Sequence, residues 1–385
     1  MLDVEGMNVL KVGLSTTTIE PAITDGRLDG IGVYTDALLT GLPSAGCEVT
    51  GYAFPSLKNG ALAKRFSLSK VLPSSYSALS LRDVITPKTV AITLPVDIYH
   101  ATDYRIVRTT SPIVATLHDA IPIKYPEWCS PRLRRLKNWV QKKAAAKANH
   151  VIALSNYAVA ELVECFGVDE KNITVVQCGV APEWKQPSDP AAVDTTLHQY
   201  GLRPGYFLFV GTFQPRKNVD RILEAYLRLP DAIRQTRQLL LVGRVGWLCD
   251  ELIGKIKAAI QRGEHVVWLS NVSSQVQLRH LYAGAGVFVF PSLYEGFGIP
   301  VTEAFSSGVP VITSNTTSLP EVSQGAALEI NPMSVPEIGT AMQDLSTNEA
   351  LRQQCIDAGR KRAAQFTWQR TVEETVAVYR SVLAS

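Results

Sequence analysis

Cysteine is sparse and scattered: six residues, Cys47, Cys129, Cys165, Cys178, Cys249 and Cys355, include no C-x-x-C pair. That spacing excludes a zinc knuckle and a disulfide framework, and it fits a reducing, cytoplasmic compartment. No apolar run approaches the ~20 residues that cross a bilayer. The opening MLDVEGMNVLKVGL carries acids where a secretory leader needs positive charge, so any membrane contact is expected to be peripheral. An excess of either charge is lacking too. Lys plus Arg number 38 against 35 Asp plus Glu, too small a surplus to argue for a nucleic-acid partner. With 46% apolar and 19% charged residues, the composition is globular and excludes a disordered chain.

What is present is length and a repeated pattern. At 385 residues the chain is long enough for two cores. Short Val- and Ile-rich runs alternate with helical stretches, as they do in a buried parallel sheet. Residues 9–14, 47–54, 96–100, 113–117, 150–154 and 173–177 are the strand candidates of the first half. In the second half they are 206–210, 238–242, 265–269, 286–290, 310–313 and 327–330. The proline-rich stretch 183–202 between the two sets, without a convincing apolar period, reads as a linker. The expected organisation is a first domain over 1–182, a second over 203–366, and a terminal helix over 367–385 that packs back on the first.

The most informative stretch is EGFGIPVTE, residues 295–303, directly after the strand-like VFVF. Ligands collect beyond the carboxyl ends of strands in such sheets. Gly296 and Gly298 allow a close backbone approach, and Pro300 suits the first turn of a helix that shows Val301, Ala304 and Phe305 to the core and stops at Gly308. The start of that helix favours an anion, and Glu295 and Glu303 stand ready to accept hydrogen bonds from hydroxyls at two depths. Phosphates between two hydroxyl-bearing groups describe a nucleotide sugar. An isolated acid pair would be a solvated loop acid and a helix acid; the glycines, the proline and the trailing SSGVPVI favour the site. The stretch resembles the E-x7-E signature of the GT4 family of retaining glycosyltransferases.

That resemblance implies an α/β chain of GT-B fold, with two doubly wound parallel-sheet (Rossmann-like) domains facing each other across a cleft. The first would take the acceptor and the second the donor. It assigns Phe297, Gly298, Ile299 and Glu303 to donor binding and gives Glu295 the placing of the donor sugar. In YFLFVGTFQPRKNVDRILEAYLRL, Gly211 leads a turn, Asn218 can cap the following helix, and Arg216 with Lys217 resembles the family's RKN element, whose cations hold the donor pyrophosphate. Gly243 closes a strand near the nucleotide, and the nucleobase is expected beside Asn271, Val272 and Leu278. Gly30 and Gly32, before an amphipathic helix showing Tyr34, Leu38 and Leu42, resemble the G-x-G loop that meets the donor phosphates. His118 and His100 both follow strand-like runs; the T-x-H-D context gives the catalytic assignment to His118. A D-x-D triplet is absent, so no metal and no other cofactor is expected, with Arg216, Lys217 and the helix end supplying the positive charge.

The segment 130–148 starts a helix at Ser130 and Pro131 and carries seven cations without an acid. Leu133, Leu136, Trp139 or Val140, and Ala144 could face the sheet. The cations of 132–147 are either a solvated face or a dock for an anionic membrane at the inner face of the plasma membrane. Taken together, the expected activity is metal-independent transfer of a hexose to a polyprenyl-linked or other glycan acceptor. The motif context resembles bacterial mannosyltransferases of surface polysaccharide synthesis, which puts GDP-mannose first and a UDP-hexose second as donor. A nucleotide-sugar 2-epimerase and a non-catalytic sugar-nucleotide sensor are the alternatives.

Overall fold

The computed structural model describes residues 9–24, 28–55, 57–58, 61–62, 66–86, 91–128, 134–272 and 274–385. The chain divides into two compact units, one of Met1–Lys124, Arg132–Gly179 and Trp368–Ser385, the other of Tyr125–Pro131 and Val180–Thr367.

The parallel strands of the first unit are β1 (Leu10–Ser15), β2 (Cys47–Ala53), β3 (Lys70–Val71), β4 (Ile98–Ala101), β5 (Ile113–Thr116), β6 (His150–Ala153) and β7 (Ile173–Val175), all but β3 formed by apolar runs. Their order in the sheet is β3-β2-β1-β4-β5-β6-β7. The second unit has β8 (Tyr206–Val210), β9 (Leu239–Val242), β10 (Val266–Leu269), β11 (Ala285–Phe290), β12 (Val311–Ser314) and β13 (Leu328–Ile330), ordered β10-β9-β8-β11-β12-β13. In both sheets the order reverses beside the first strand, between β1 and β4 and between β8 and β11. Strand connections leave in opposite directions there and open a crevice at the carboxyl ends. Phe207, Phe209, Phe288 and Phe290 are fully buried around β8 and β11, each contributing about 1.5–3 kcal/mol. Strand β3, two exposed residues long, has no apolar run by which a sequence could show it.

The helices used below are α1 (Gly30–Gly41), α2 (Arg134–Ala145), α3 (Val219–Leu227), α4 (Gln275–Ala283), α5 (Ile299–Ser306), α6 (Glu349–Ala363) and α7 (Trp368–Ala384). Gly30 and Gly32 are the start of α1 rather than a loop before it; Asp29 caps the helix, its carboxylate accepting from Gly32 N at 2.9 Å. Tyr34 and Leu38 are fully buried on its inner face, as is Leu42 just past its end. In α7, Val372, Thr375, Val376 and Tyr379 are buried within the first unit, and Thr371 Oγ1 donates to Gln177 O at 2.7 Å.

Three readings need correction. The stretch 183–202 is part of the second unit, where Pro190–Gln199 is a helix capped by Asp189. Its anchor is Leu197, 2% exposed, with Thr196 Oγ1 2.8 Å from His280 Nδ1 of α4. Proline at a helix start and proline in a linker look alike in sequence. Tyr125–Pro131 also counts with the second unit, and Tyr125 meets Tyr294 edge-on at 5.1 Å. Finally, α2 buries Ala144 and Ala145, while Leu136 and Trp139 are exposed among the cations, 55% and 43% respectively. Cys129, the helix start at Ser130 and Pro131, Arg132 and Leu133 lie outside the described residues.

If 183–202 were a linker, truncating Leu197 would cost nothing. Leu197→Ala is instead expected to lower the unfolding free energy by ~2–5 kcal/mol, read by urea denaturation; an unchanged midpoint counts against the packed helix.

Candidate active site

Beyond Val210 the chain runs through Gly211 into a short 3-10 turn, Pro215–Lys217, before α3. Two successive cations leave that turn toward the loop after β11. Arg216 Nη1 donates to Glu295 Oε2 at 2.9 Å, and Lys217 Nζ donates to Oε1 at 2.6 Å. Neighbouring strand ends at the crevice are thereby joined. Asn218 takes φ 60°, a conformation that asparagine tolerates better than most residues. Its side chain does not cap α3. Nδ2 donates instead to Pro291 O at 2.9 Å and Pro332 O at 2.7 Å, holding the loop against the turn.

Glu295, Lys217 and Arg216 are mostly shielded, with side chains 8%, 10% and 19% exposed. Burial alone would raise the Glu295 carboxyl, but the charges of Lys217 and Arg216 outweigh it and hold the group below its ordinary range. Two cations share one carboxylate, so the trio keeps a net positive charge. Ser318 Oγ donates to Glu295 O at 2.8 Å and Phe297 O at 3.1 Å, which sets the loop. Gly298 follows at φ 113°; a Cβ there would also meet Leu319 Cδ2 at 2.9 Å. The positive end of the α5 dipole therefore starts at Ile299, four residues after Glu295.

Glu303 lies one turn into α5 in a different setting. It is half-buried, Tyr282 OH donates to its Oε2 at 3.1 Å, and burial pushes its carboxyl from 4.5 up to about 8. Gly211 and Gly243 stand side by side just past the ends of β8 and β9, and a Cβ on Gly243 would fall 1.9 Å from Gly211 O, so only glycine fits. Asn271, exposed, and Val272, half-buried, follow β10; Leu278 is half-buried on α4, and Ser273 lies outside the described residues.

In the first unit His118 follows the end of β5. Nε2 donates to Thr102 O at 2.8 Å, and the ring meets Tyr34 edge-on at 5.3 Å. Burial lowers its pKa, more than the Thr102 bond restores, so the ring is neutral with Nδ1 as acceptor. His100 is a core residue. Nδ1 lies 2.6 Å from Tyr379 OH, Nε2 lies 2.8 Å from Thr116 Oγ1, and burial lowers its pKa to about 3.

Comparison with known proteins matches residues 198–362 to "Glycosyl transferases group 1" and residues 28–184 to "Glycosyltransferase Family 4". The O-antigen chain mannosyltransferase B of Escherichia coli is 31% identical over 286 residues, 74% of each chain. The chain belongs to glycosyltransferase family 4. Among solved structures, the GT-B likeness includes sucrose-phosphate synthase from Thermosynechococcus elongatus, with TM-score 0.74, 20% identity, and coverage of 97% of this chain and 99% of that one. Anabaena HepE in complex with UDP and glucose has TM-score 0.71 at 15% identity, covering 97% and 100%.

In this glycosyltransferase the structure brings Arg216, Lys217 and Glu295 into one cluster, over Gly211 and beside the loop to Gly298 and Ile299. Phe297 packs its ring against Phe366 at 5.6 Å and so offers a ligand its backbone rather than its side chain. The spacing of charged residues gave no sign of Ser318, which fastens the motif loop, or of Tyr282, which is 21 positions from Glu303. Both are neutral hydroxyls on separate elements.

The raised Glu303 carboxyl has a pH signature. Between 4.5 and about 8 the folded glycosyltransferase binds a proton there that the unfolded chain has lost, so this contribution to stability is full below 4.5 and disappears as pH rises through 8. Glu303→Gln is expected to melt progressively higher relative to the unmodified chain from pH 5 to pH 8; parallel Tm curves would remove the assignment.

Proposed function

We propose that this glycosyltransferase moves mannose, with retention, from GDP-mannose to a lipid-linked or oligosaccharide acceptor of a surface polysaccharide. The observation that carries the reading is the pair Arg216 and Lys217 held on Glu295 beside the start of α5. The leaving diphosphate gains charge as the anomeric bond breaks. Preset cations and aligned peptide dipoles bind that charge better than they bind the intact donor, which lowers the barrier.

Glu295 stays ionised between the cations and accepts hydroxyls of the transferred sugar; it is a positioning group and not assigned as the nucleophile. Glu303 takes the ribose hydroxyls, a contact that favours its ionised form. Gly211, Gly243 and Gly298 give the diphosphate close access to backbone, and Asn271, Val272 and Leu278 frame the base. His118 contributes Nδ1 as a hydroxyl acceptor, and the α1 start contributes the Gly30 amide, that of Gly32 being taken by the Asp29 cap.

Mannose is favoured by likeness to the Escherichia coli O-antigen mannosyltransferase. A UDP-hexose is the second reading, since a solved relative of the same fold was crystallised with UDP and glucose. Melting the protein with GDP, UDP and their hexose conjugates separates the two, because a ligand raises Tm in proportion to its affinity. GDP release that requires acceptor separates transfer from epimerisation or sensing.

No metal is needed in this scheme. Activity with GDP-mannose is expected to survive a chelator, while Lys217→Ala lowers kcat about 10²–10³-fold. Loss of turnover on chelation, restored by magnesium or manganese, would overturn it.

The acceptor reading extends to α2. Arg135, Lys137, Lys142 and Lys143 lie on the exposed surface with Trp139 and Leu136, an apolar and cationic mixture suited to an anionic bilayer surface at the inner face of the membrane. No helix among the described residues is long and apolar enough to cross a membrane. Each cation near the surface adds ~1 kcal/mol. Replacing Trp139 with Ser and the three cations Arg135, Lys142 and Lys143 with Gln should abolish sedimentation with phosphatidylglycerol vesicles; undiminished partitioning argues against the dock.

A further inference from the structure

We propose a second anion site in the second unit, at the opposite end of α5 from the ion cluster, that takes a phosphate-bearing ligand. A cavity of about 380 Å³ lies where Trp184 and Lys185, Arg279 of α4, the α5 end at Ser306 and Ser307, and Arg360 of α6 converge. That volume is within the ~300–1,000 Å³ common for small-molecule sites. Among the described residues, no acidic side chain lines it.

Its cations have nothing among the described residues to neutralise them. Lys185, Arg279 and Arg360 form no ion pair there, and the bond of Arg279 is to Glu183 O at 2.6 Å, a carbonyl that uses one of five guanidinium donors. The negative end of the α5 dipole accounts for one cation, since the Arg360 guanidinium stands against Gly308 just past that end. It does not account for three. Like charges brought to one concavity repel each other, and an anion with several oxygens relieves that repulsion while accepting from two forks and an ammonium. Hydroxyl chemistry agrees. Ser306 Oγ is buried and makes no hydrogen bond, and Ser307 lies beside it on the same wall.

The site is separate from Glu295 and its two cations, while Glu303 lies one helical turn before Ser306 on α5. The eight residues of α5 span about 12 Å at 1.5 Å each, with the Gly298 end toward Glu295 and the Ser306 end toward this cavity. Trp184, 8% exposed, closes the inner side and meets Tyr282 edge-on at 5.0 Å.

The shared chemistry of a free phosphate and a phospholipid headgroup is tested with inorganic phosphate and with vesicles. At constant ionic strength, phosphate should raise the Tm of the unmodified chain and of Arg216→Gln/Lys217→Gln. It should lose at least about tenfold in apparent affinity with Arg279→Gln/Arg360→Gln, two charge-assisted contacts fewer. Lys185→Gln, an exposed single change, guards against a folding defect. Weaker sedimentation of Arg279→Gln/Arg360→Gln with phosphatidylglycerol vesicles identifies a headgroup; equal sedimentation with lost phosphate binding identifies a free phosphate. A phosphate response that persists in Arg279→Gln/Arg360→Gln, disappears only in Arg216→Gln/Lys217→Gln, or is absent from the unmodified chain overturns the site.

Discussion

The second unit depends on one buried carboxylate shared by two cations. Glu295 leaves β11 and Arg216 with Lys217 leaves β8, so the ion cluster fixes the relative positions of two strand ends where the sheet order reverses. Taking such charges out of water costs several kcal/mol per ion, and their attraction repays that only with good geometry. Geometry here comes from neutral parts: the Asn218 amide on two carbonyls, Ser318 on two more, and Lys217 Nζ 4.7 Å above the Phe290 ring. A hydrophobic trio of the same volume could stabilise the fold as well, but it would leave nothing to meet the diphosphate of the proposed donor. Retaining the charges is understandable as a requirement of chemistry more than of stability.

Eight residues on, the second glutamate of the motif has the opposite electrostatics. Glu295 is held ionised by cations; Glu303 has only a hydroxyl, and burial lifts it to about 8. Environments that drive two carboxyls apart give them different tasks. One is a permanent counter-charge that keeps Arg216 and Lys217 ordered. The other gains its charge when donors arrive, which suits a pair of ribose hydroxyls under the proposed reading. The glycines between them let both act within one short loop and helix start.

Much of this was legible before any coordinates. Parallel strands buried on both faces leave unbroken apolar runs, and the twelve runs read as strands all became strands, with ends shifted by one or two residues. The acids at 295 and 303 and the cations at 216 and 217 were visible because charge beside glycine at a strand end has few structural reasons to exist. What failed shares a physical cause: dependence on partners distant in sequence. Pro190–Gln199 has too few apolar residues to show a period, and its burial rests on Leu197 and Thr196 meeting α4. Asn218 was read locally as a cap, whereas carbonyls 73 and 114 positions away claim its amide. Leu136 and Trp139 follow a helical spacing that fits an inward face, yet Ala144 and Ala145 take that face.

The two histidines show how position within a strand separates roles that sequence leaves equal. His100 lies inside β4, paired in register with Leu14 and Val114, so its side chain is committed to the layer between sheet and helix. There it joins Tyr379 OH to Thr116 Oγ1, and Thr116 in turn lies 2.9 Å from Tyr34 OH. His118 has passed the end of β5, and its ring rests on the edge of that same Tyr34. The terminal helix therefore reaches His118 through a chain of buried polar contacts, Tyr379 to His100 to Thr116 to Tyr34. Such a chain explains why a histidine with a pKa near 3 is useful where a leucine would fill the space. A neutral imidazole can be donor on one nitrogen and acceptor on the other, linking the Tyr379 hydroxyl to a Thr116 hydroxyl that already meets Tyr34. The core histidine holds the tyrosine through Thr116, and the tyrosine packs on the ring of His118, the histidine that the proposed reading gives to the substrate.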